Sequence, residues 1–99
     1  QYDRAIEDYN KAIDIDPNNA YAYTGRGATY GHKGQYDRAI EDYNNALGLN
    51  QYLTAVYYSR GLAYEMKGNI EMAISDFQKA CDMGLENGCE SLQRVLRQK

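Results

Sequence analysis

The sequence holds one histidine, one proline and no tryptophan. With His32 alone, a Ser–His–acid or Cys–His site has a single candidate base. His32 falls in the last turn of an expected helix, just before Gly34, where the dipole stabilises a solvated imidazole. A glycine-rich phosphate loop and a CxxC pair are both missing. The carboxylates Glu7, Asp8, Glu41, Asp42, Glu71 and Asp76 fall on expected helix surfaces and recur with the repeat, as structural features do. No catalytic residue, cofactor or metal ligand is assigned, and the chain does not read as an enzyme. Basic residues are also in deficit, 11 against 14 acidic, for a net charge of −3. Phosphate backbones need clustered Lys and Arg, so nucleic acid is not the expected partner. No apolar run approaches the roughly 18 residues of a membrane helix, so no membrane insertion is expected. There is no signal-peptide core either.

What is present is a repetition. Gln1 to Asn10 reads QYDRAIEDYN, and Gln35 to Asn44 reads the same, 34 positions later. An identity of this length marks a repeat architecture. The chain opens in mid-repeat without a Met, and reads as a fragment or a processed product.

Apolar residues return at three- and four-residue spacing, which predicts helices throughout and no strand. Ala5, Ile6, Tyr9, Ala12 and Ile13 form the stripe of a helix from Tyr2 to about Ile15, stopped by Asp16-Pro17. Tyr23, Gly27 and Tyr30 mark a helix over Ala20 to Lys33, ended by Gly34. Ala39, Ile40, Tyr43, Ala46 and Leu47 repeat the first helix over Tyr36 to Leu49. Tyr57, Gly61 and Tyr64 repeat the second over Thr54 to Lys67. A copy of the first type follows over Ile70 to Met83 with Ala73, Ile74, Phe77 and Ala80. A last helix is expected from about Asn87 to Arg97, with Cys89, Leu92, Val95 and Leu96 as its apolar side and Glu90, Gln93 and Arg94 outward. Short loops make neighbouring helices antiparallel. A mid-helix glycine costs about 1 kcal/mol against alanine, so Gly27 and Gly61 point to close helix contacts.

This pattern resembles the tetratricopeptide repeat, whose signature is W-x2-L-G-x2-Y, then A-x3-F, then P. Here it reads Tyr23-x2-Arg26-Gly27-x2-Tyr30 with Ala39-x3-Tyr43, and Tyr57-x2-Arg60-Gly61-x2-Tyr64 with Ala73-x3-Phe77. The N-terminal part supplies only Ala5-x3-Tyr9 and Pro17. Tyr stands for Trp, Arg26 and Arg60 for Leu, and Gln51 and Leu85 for the closing Pro. The resemblance implies an all-α, right-handed solenoid of about six helices in antiparallel pairs. It divides a single domain, residues 1–99, into a half repeat at 1–19, full repeats at 20–53 and 54–87, and a capping helix at 88–99. Arg26 and Arg60 lie on the packed stripe. That position favours pairing with carboxylates such as Asp42 and Asp76 over an exposed anion site.

In the family the first helix of each pair lines a concave groove. The positions facing it here include Tyr21, Thr24, Ala28, Tyr58, Ser59, Leu62 and Glu65. The resemblance implies a non-catalytic scaffold that binds a peptide or helix of a partner protein there, with Tyr58 and Leu62 sharing one face for an apolar anchor. Some members clamp chaperone C-termini with Lys, Asn and Arg. The matching positions hold Thr24, Ala28, Ala55 and Ser59, so chaperone tails are not the expected ligand. An alternative is self-assembly into a homo-oligomer through the uncovered first helix, at Ile6, Tyr9 and Ile13.

Cys81 and Cys89 flank a turn at Met83-Gly84-Leu85. Antiparallel helices would bring them within disulfide range, or they stand reduced as small hydrophobes. The segment ACDMGLENGC is also similar to the cysteine-bearing turn of Sel1-like repeats, some secreted members of which bridge such pairs. A bridge implies a periplasmic or secreted setting, and free thiols a cytoplasmic one. Small residues such as Ala39 are expected where paired helices touch. Ala39→Leu should overpack that contact and cost about 1–3 kcal/mol in urea denaturation. An unchanged midpoint would show that the contact is loose.

Overall fold

The computed structural model describes residues 1–98. They form six helices: α1 (Tyr2–Ile15), α2 (Ala20–His32), α3 (Tyr36–Leu49), α4 (Thr54–Met66), α5 (Ile70–Asp82) and α6 (Glu86–Gln98). Among the described residues there is no strand, and no helix is long and apolar enough to cross a membrane. The molecule divides into two units, Gln1–Leu53 with α1–α3 and a second beginning at Thr54 with α4–α6.

Two local devices recur and set the helix ends. α2, α4 and α5 end one residue earlier than the periodicity predicts, because the chain leaves each of them through the same turn. Gln35 N–H donates to the Tyr30 carbonyl at 2.9 Å, Asn69 to Tyr64 at 2.9 Å, and Leu85 to Ala80 at 3.0 Å. The residue before each donor is a glycine with positive φ: Gly34 at 81°, Gly68 at 84° and Gly84 at 98°. This is the left-handed helix stop that favours glycine. α1 and α3 end differently, in the extended residues Asp16 and Asn50. Each side chain accepts a backbone N–H two residues on, from Asn18 at 3.0 Å and Tyr52 at 2.9 Å. The Asx residue therefore builds this turn, and it forms at Asn50-Gln51-Tyr52 without a proline.

In the first unit, α2 packs against both α1 and α3. Arg26 meets Asp42, Gly27 meets Tyr43 and Gly31 meets Ala39, so one helix ascends as the other descends. A Cβ built on Gly27 would stand 2.8 Å from the Tyr43 ring and 3.1 Å from the Asp42 Cβ. Only glycine lets the two backbones come this near. The buried residues of α3 facing inward are Ala39, Ile40, Tyr43, Ala46 and Leu47.

The second unit repeats this contact between α4 and α5. A Cβ on Gly61 would lie 2.7 Å from the Phe77 ring. Phe77, Ala73, Leu92 and Val95 form the core, with Tyr58, Leu62, Tyr64, Ile70 and Ile74 packed around it. α5 is joined to α6 by a Cys81–Cys89 disulfide, with the two Cα atoms 4.6 Å apart.

Gly27 and Gly61 are each accompanied by a guanidinium–carboxylate fork. Arg26 donates from Nε and Nη2 to the two Asp42 oxygens at 2.9 and 2.8 Å. Arg60 does the same to Asp76, at 2.8 Å for both bonds. Asp42 is 2% exposed and Asp76 4%. The hydrogen bond to its carboxylate holds each arginine above its ordinary pKa, against the opposing effect of burial. Both arginines are structural, as their place on the packed stripe predicts.

Glycine at 61 is required by a neighbour, whereas Gly48 has no atom within 4 Å of a Cβ. Gly61→Ala should lower stability in urea by about 1–3 kcal/mol through overpacking. Gly48→Ala should raise it by about 0.5–1 kcal/mol, because only helix propensity changes. Equal effects at the two sites would contradict the packing described for α4 and α5.

Candidate functional site

The faces expected to hold a ligand lie on α2 and α4 and are built separately in the two units. On α2, Tyr21 stands 74% exposed in the first turn. Asn19 caps that turn by accepting the Ala22 N–H at 3.1 Å, which fixes where Tyr21 emerges. Thr24, one turn on, is half-buried. Its hydroxyl donates to the Ala20 carbonyl at 2.9 Å, so its donor is spent within the helix. Ala28 follows a further turn along and is half-buried. The three spaced residues make one face with an aromatic end and a small, weakly polar middle.

The corresponding face of α4 is more enclosed. Tyr58 is half-buried and its ring lies 5.9 Å from that of Phe77, tilted by 47°. Leu62 is half-buried and packs on the Phe77, Leu92 and Val95 cluster. Glu65 accepts both arms of Arg94 from α6, the Nη2 bond measuring 3.0 Å. This corrects the expected orientation of Arg94, which turns inward to Glu65 instead of outward from the last helix. That hydrogen bond raises its pKa, with desolvation opposing. Ser59 is half-buried and Ala55 exposed, so these small residues are the more open part of the face. α6 accordingly takes up part of the apolar surface that an anchor residue would use.

The residues expected to carry self-association, Ile6, Tyr9 and Ile13, lie on one side of α1 and are half-buried. α1 has no buried residue at all. Ile15, at its end, is 85% exposed. His32 is exposed, and its ring stacks on Tyr2 with centroids 6.1 Å apart. Among the described residues no cluster of His, Cys, Asp and Glu is arranged to hold a metal ion.

Three further contacts were not anticipated from the sequence. Asn10 accepts a hydrogen bond from Arg26 Nη1 at 2.8 Å, so Arg26 ties α1 as well as α3 to α2. The Tyr9 ring lies against Gly25. The Arg94–Glu65 pair is the third. The 34-residue spacing held a clue to it: Arg94 occupies the register of Arg26 and Arg60, but Val95 stands where they are followed by glycine.

Comparison with known proteins follows this architecture. Residues 1–34 match a TPR repeat model, and residues 20–52 and 54–83 match tetratricopeptide repeat models. No curated protein sequence matches the chain. Among solved structures, the first TPR of Spaghetti (RPAP3) bound to the HSP90 peptide SRMEEVD is 30% identical. It superposes with a TM-score of 0.92, over 97% of this chain and 78% of that one. The second TPR domain of human RPAP3, in complex with the HSP70 peptide SGPTIEEVD, is 27% identical, with a TM-score of 0.88 over 95% and 80%. The Arabidopsis OM64 TPR domain, at 24% identity and a TM-score of 0.94 over 100% and 84%, shares the fold. The repeated helix contacts, the matching family models and the likeness to the Spaghetti domain agree: this chain belongs to the tetratricopeptide-repeat family.

Proposed function

We propose that the chain is a non-catalytic protein-interaction scaffold that holds a peptide or helix of a partner protein. The observation that carries this is the likeness to the Spaghetti domain, whose structure contains a bound peptide. The faces we assign to the ligand are Tyr21, Thr24 and Ala28 on α2, and Tyr58, Ser59, Leu62 and Glu65 on α4. The open part of the α2 face is aromatic at Tyr21, and that of the α4 face is small at Ser59. Tyr58, Leu62 and Glu65 contribute mainly by supporting it, since each is held by the core or by α6.

The chemistry of these faces separates this chain from the relatives named above. The peptides in those two structures, SRMEEVD and SGPTIEEVD, are acidic. Capturing such a tail calls for cationic donors, and Thr24, Ala28, Ala55 and Ser59 bring none. Glu65 adds a carboxylate already neutralised by Arg94. The reading therefore favours a neutral or apolar ligand over an acidic C-terminus. The half-buried Ile6, Tyr9 and Ile13 favour the alternative use, self-assembly through α1.

A display-selected peptide library identifies a binder, and titration against variants locates it. Tyr21→Ala and Ser59→Glu change residues outside the core, so both should fold. At least one of them should weaken the selected peptide by roughly tenfold or more, as loss of an aromatic anchor does. SRMEEVD should bind weakly or not at all. Tight binding of SRMEEVD, or a selected peptide indifferent to both substitutions, would overturn this assignment.

A further inference from the structure

α6 is held differently from the other helices that follow a glycine stop. α3 and α5 lie against the helix before them through a fork and a contact glycine, Arg26–Asp42 with Gly27 and Arg60–Asp76 with Gly61. α6 follows such a stop at Gly84, but its arginine in that register, Arg94, reaches Glu65 of α4. Its tie to α5 is made in its first turn instead. A Cβ on Gly88 would stand 2.8 Å from the Ala80 Cβ and 3.0 Å from the Cys81 nitrogen, and the next residue, Cys89, is bridged to Cys81. Leu92 and Val95 then lay the rest of the helix on Phe77, in the cluster against which Tyr58 and Leu62 pack. The bridge thus fixes the base of a lever whose length covers α4. It is also within reach of a reagent. Both cysteines are half-buried, and Asp82, Gly84, Glu86 and Asn87 around them are exposed. The turn between them is closed independently by the Leu85 N–H, which donates to the Ala80 carbonyl at 3.0 Å. Opened sulfurs therefore stay near each other and can bridge again.

We propose that Cys81–Cys89 is a redox latch on the α4 ligand face, a reading that rests on the assignment of Tyr58, Ser59, Leu62 and Glu65 to that face. A thiolate of a dithiol reductant attacks one sulfur, and the other cysteine leaves with the electron pair and takes a proton. The reductant's second thiol then displaces the cysteine still attached to it. The chain gains two electrons and two protons, and the dithiol ends as a disulfide. Opening the bridge removes the tie at the base of α6. The helix is then held by its packing and by the partly exposed Arg94–Glu65 pair, which is weak on its own. In the oxidised chain α6 stays on α4, and Tyr58, Leu62 and Glu65 remain engaged. In the reduced chain it leaves more often and offers them to the ligand. The open population grows without the first unit changing, since α1–α3 make no use of the bridge.

The test compares three forms of the whole chain: oxidised, held in excess dithiothreitol, and the double variant Cys81→Ser, Cys89→Ser. Hydrogen exchange of α6 amides should quicken by roughly tenfold or more in both unbridged forms, with α2 and α3 unchanged. The reduced chain keeps its native residues, so the comparison does not depend on the serine variant folding. A displayed peptide library is then selected on the reduced chain and counter-selected on the oxidised one. Survivors should bind the reduced chain roughly tenfold or more tightly than the oxidised chain, and Ser59→Glu should weaken them by a similar factor. Unchanged α6 exchange, a measurement that needs no ligand, would overturn the latch itself. Faster exchange with no surviving peptide would leave the bridge a staple of the fold and overturn the regulation. Survivors indifferent to Ser59→Glu would move the redox-dependent surface off α4 and overturn the ligand assignment on which the latch rests.

Discussion

The α2–α3 and α4–α5 contacts are each registered by one guanidinium–carboxylate fork beside one glycine. Arg26 and Asp42, and again Arg60 and Asp76, lie 16 residues apart in sequence and meet through two parallel hydrogen bonds. The glycine after each arginine lets the backbones approach, and an aromatic ring fills the space beside it. The fork then specifies where along the helix that approach occurs. A slip of one turn would leave a charge buried without its partner, which is far more costly than the pair is stabilising. The glycine stops at 34 and 68 set the loop length that makes this register reachable.

The same device accounts for what was legible in the sequence. The helices follow from period and punctuation, and the contacts at Gly27 and Gly61 follow from a residue kept against its helix propensity. The helix ends were misplaced by one residue because periodicity cannot say whether Lys33 or Lys67 belongs to the helix or to the turn. Only the backbone bonds that close over the glycine decide it. The covered face of α4 was not legible, for a different reason. Its cover, α6, departs from the repeat, with Val95 in place of the contact glycine and Arg94 turned to Glu65 instead of to a residue further along the chain. A pattern predicts well where it repeats, and predicts nothing about the element that breaks it.

The faces proposed for the ligand are ones that the forks leave unused. A helix that has spent its arginine and glycine on a partner still has its other face available, and on α2 that face carries Tyr21. On α4 much of it is taken by α6 through Leu62, Tyr58 and Glu65. The two units therefore offer unequal surfaces although each is built on the same fork and glycine.

The most direct measurement is a double-mutant cycle on the fork, with Arg60→Ala, Asp76→Ala and the double variant compared by urea denaturation. If the pair sets the register of α4 and α5, the coupling energy should exceed about 1.5 kcal/mol, the range of charged hydrogen bonds between buried partners. A coupling within about 0.5 kcal/mol of zero, with additive single effects, would mean that the aromatic and glycine contacts alone align the helices. The fork would then be a consequence of the fold and not its constraint.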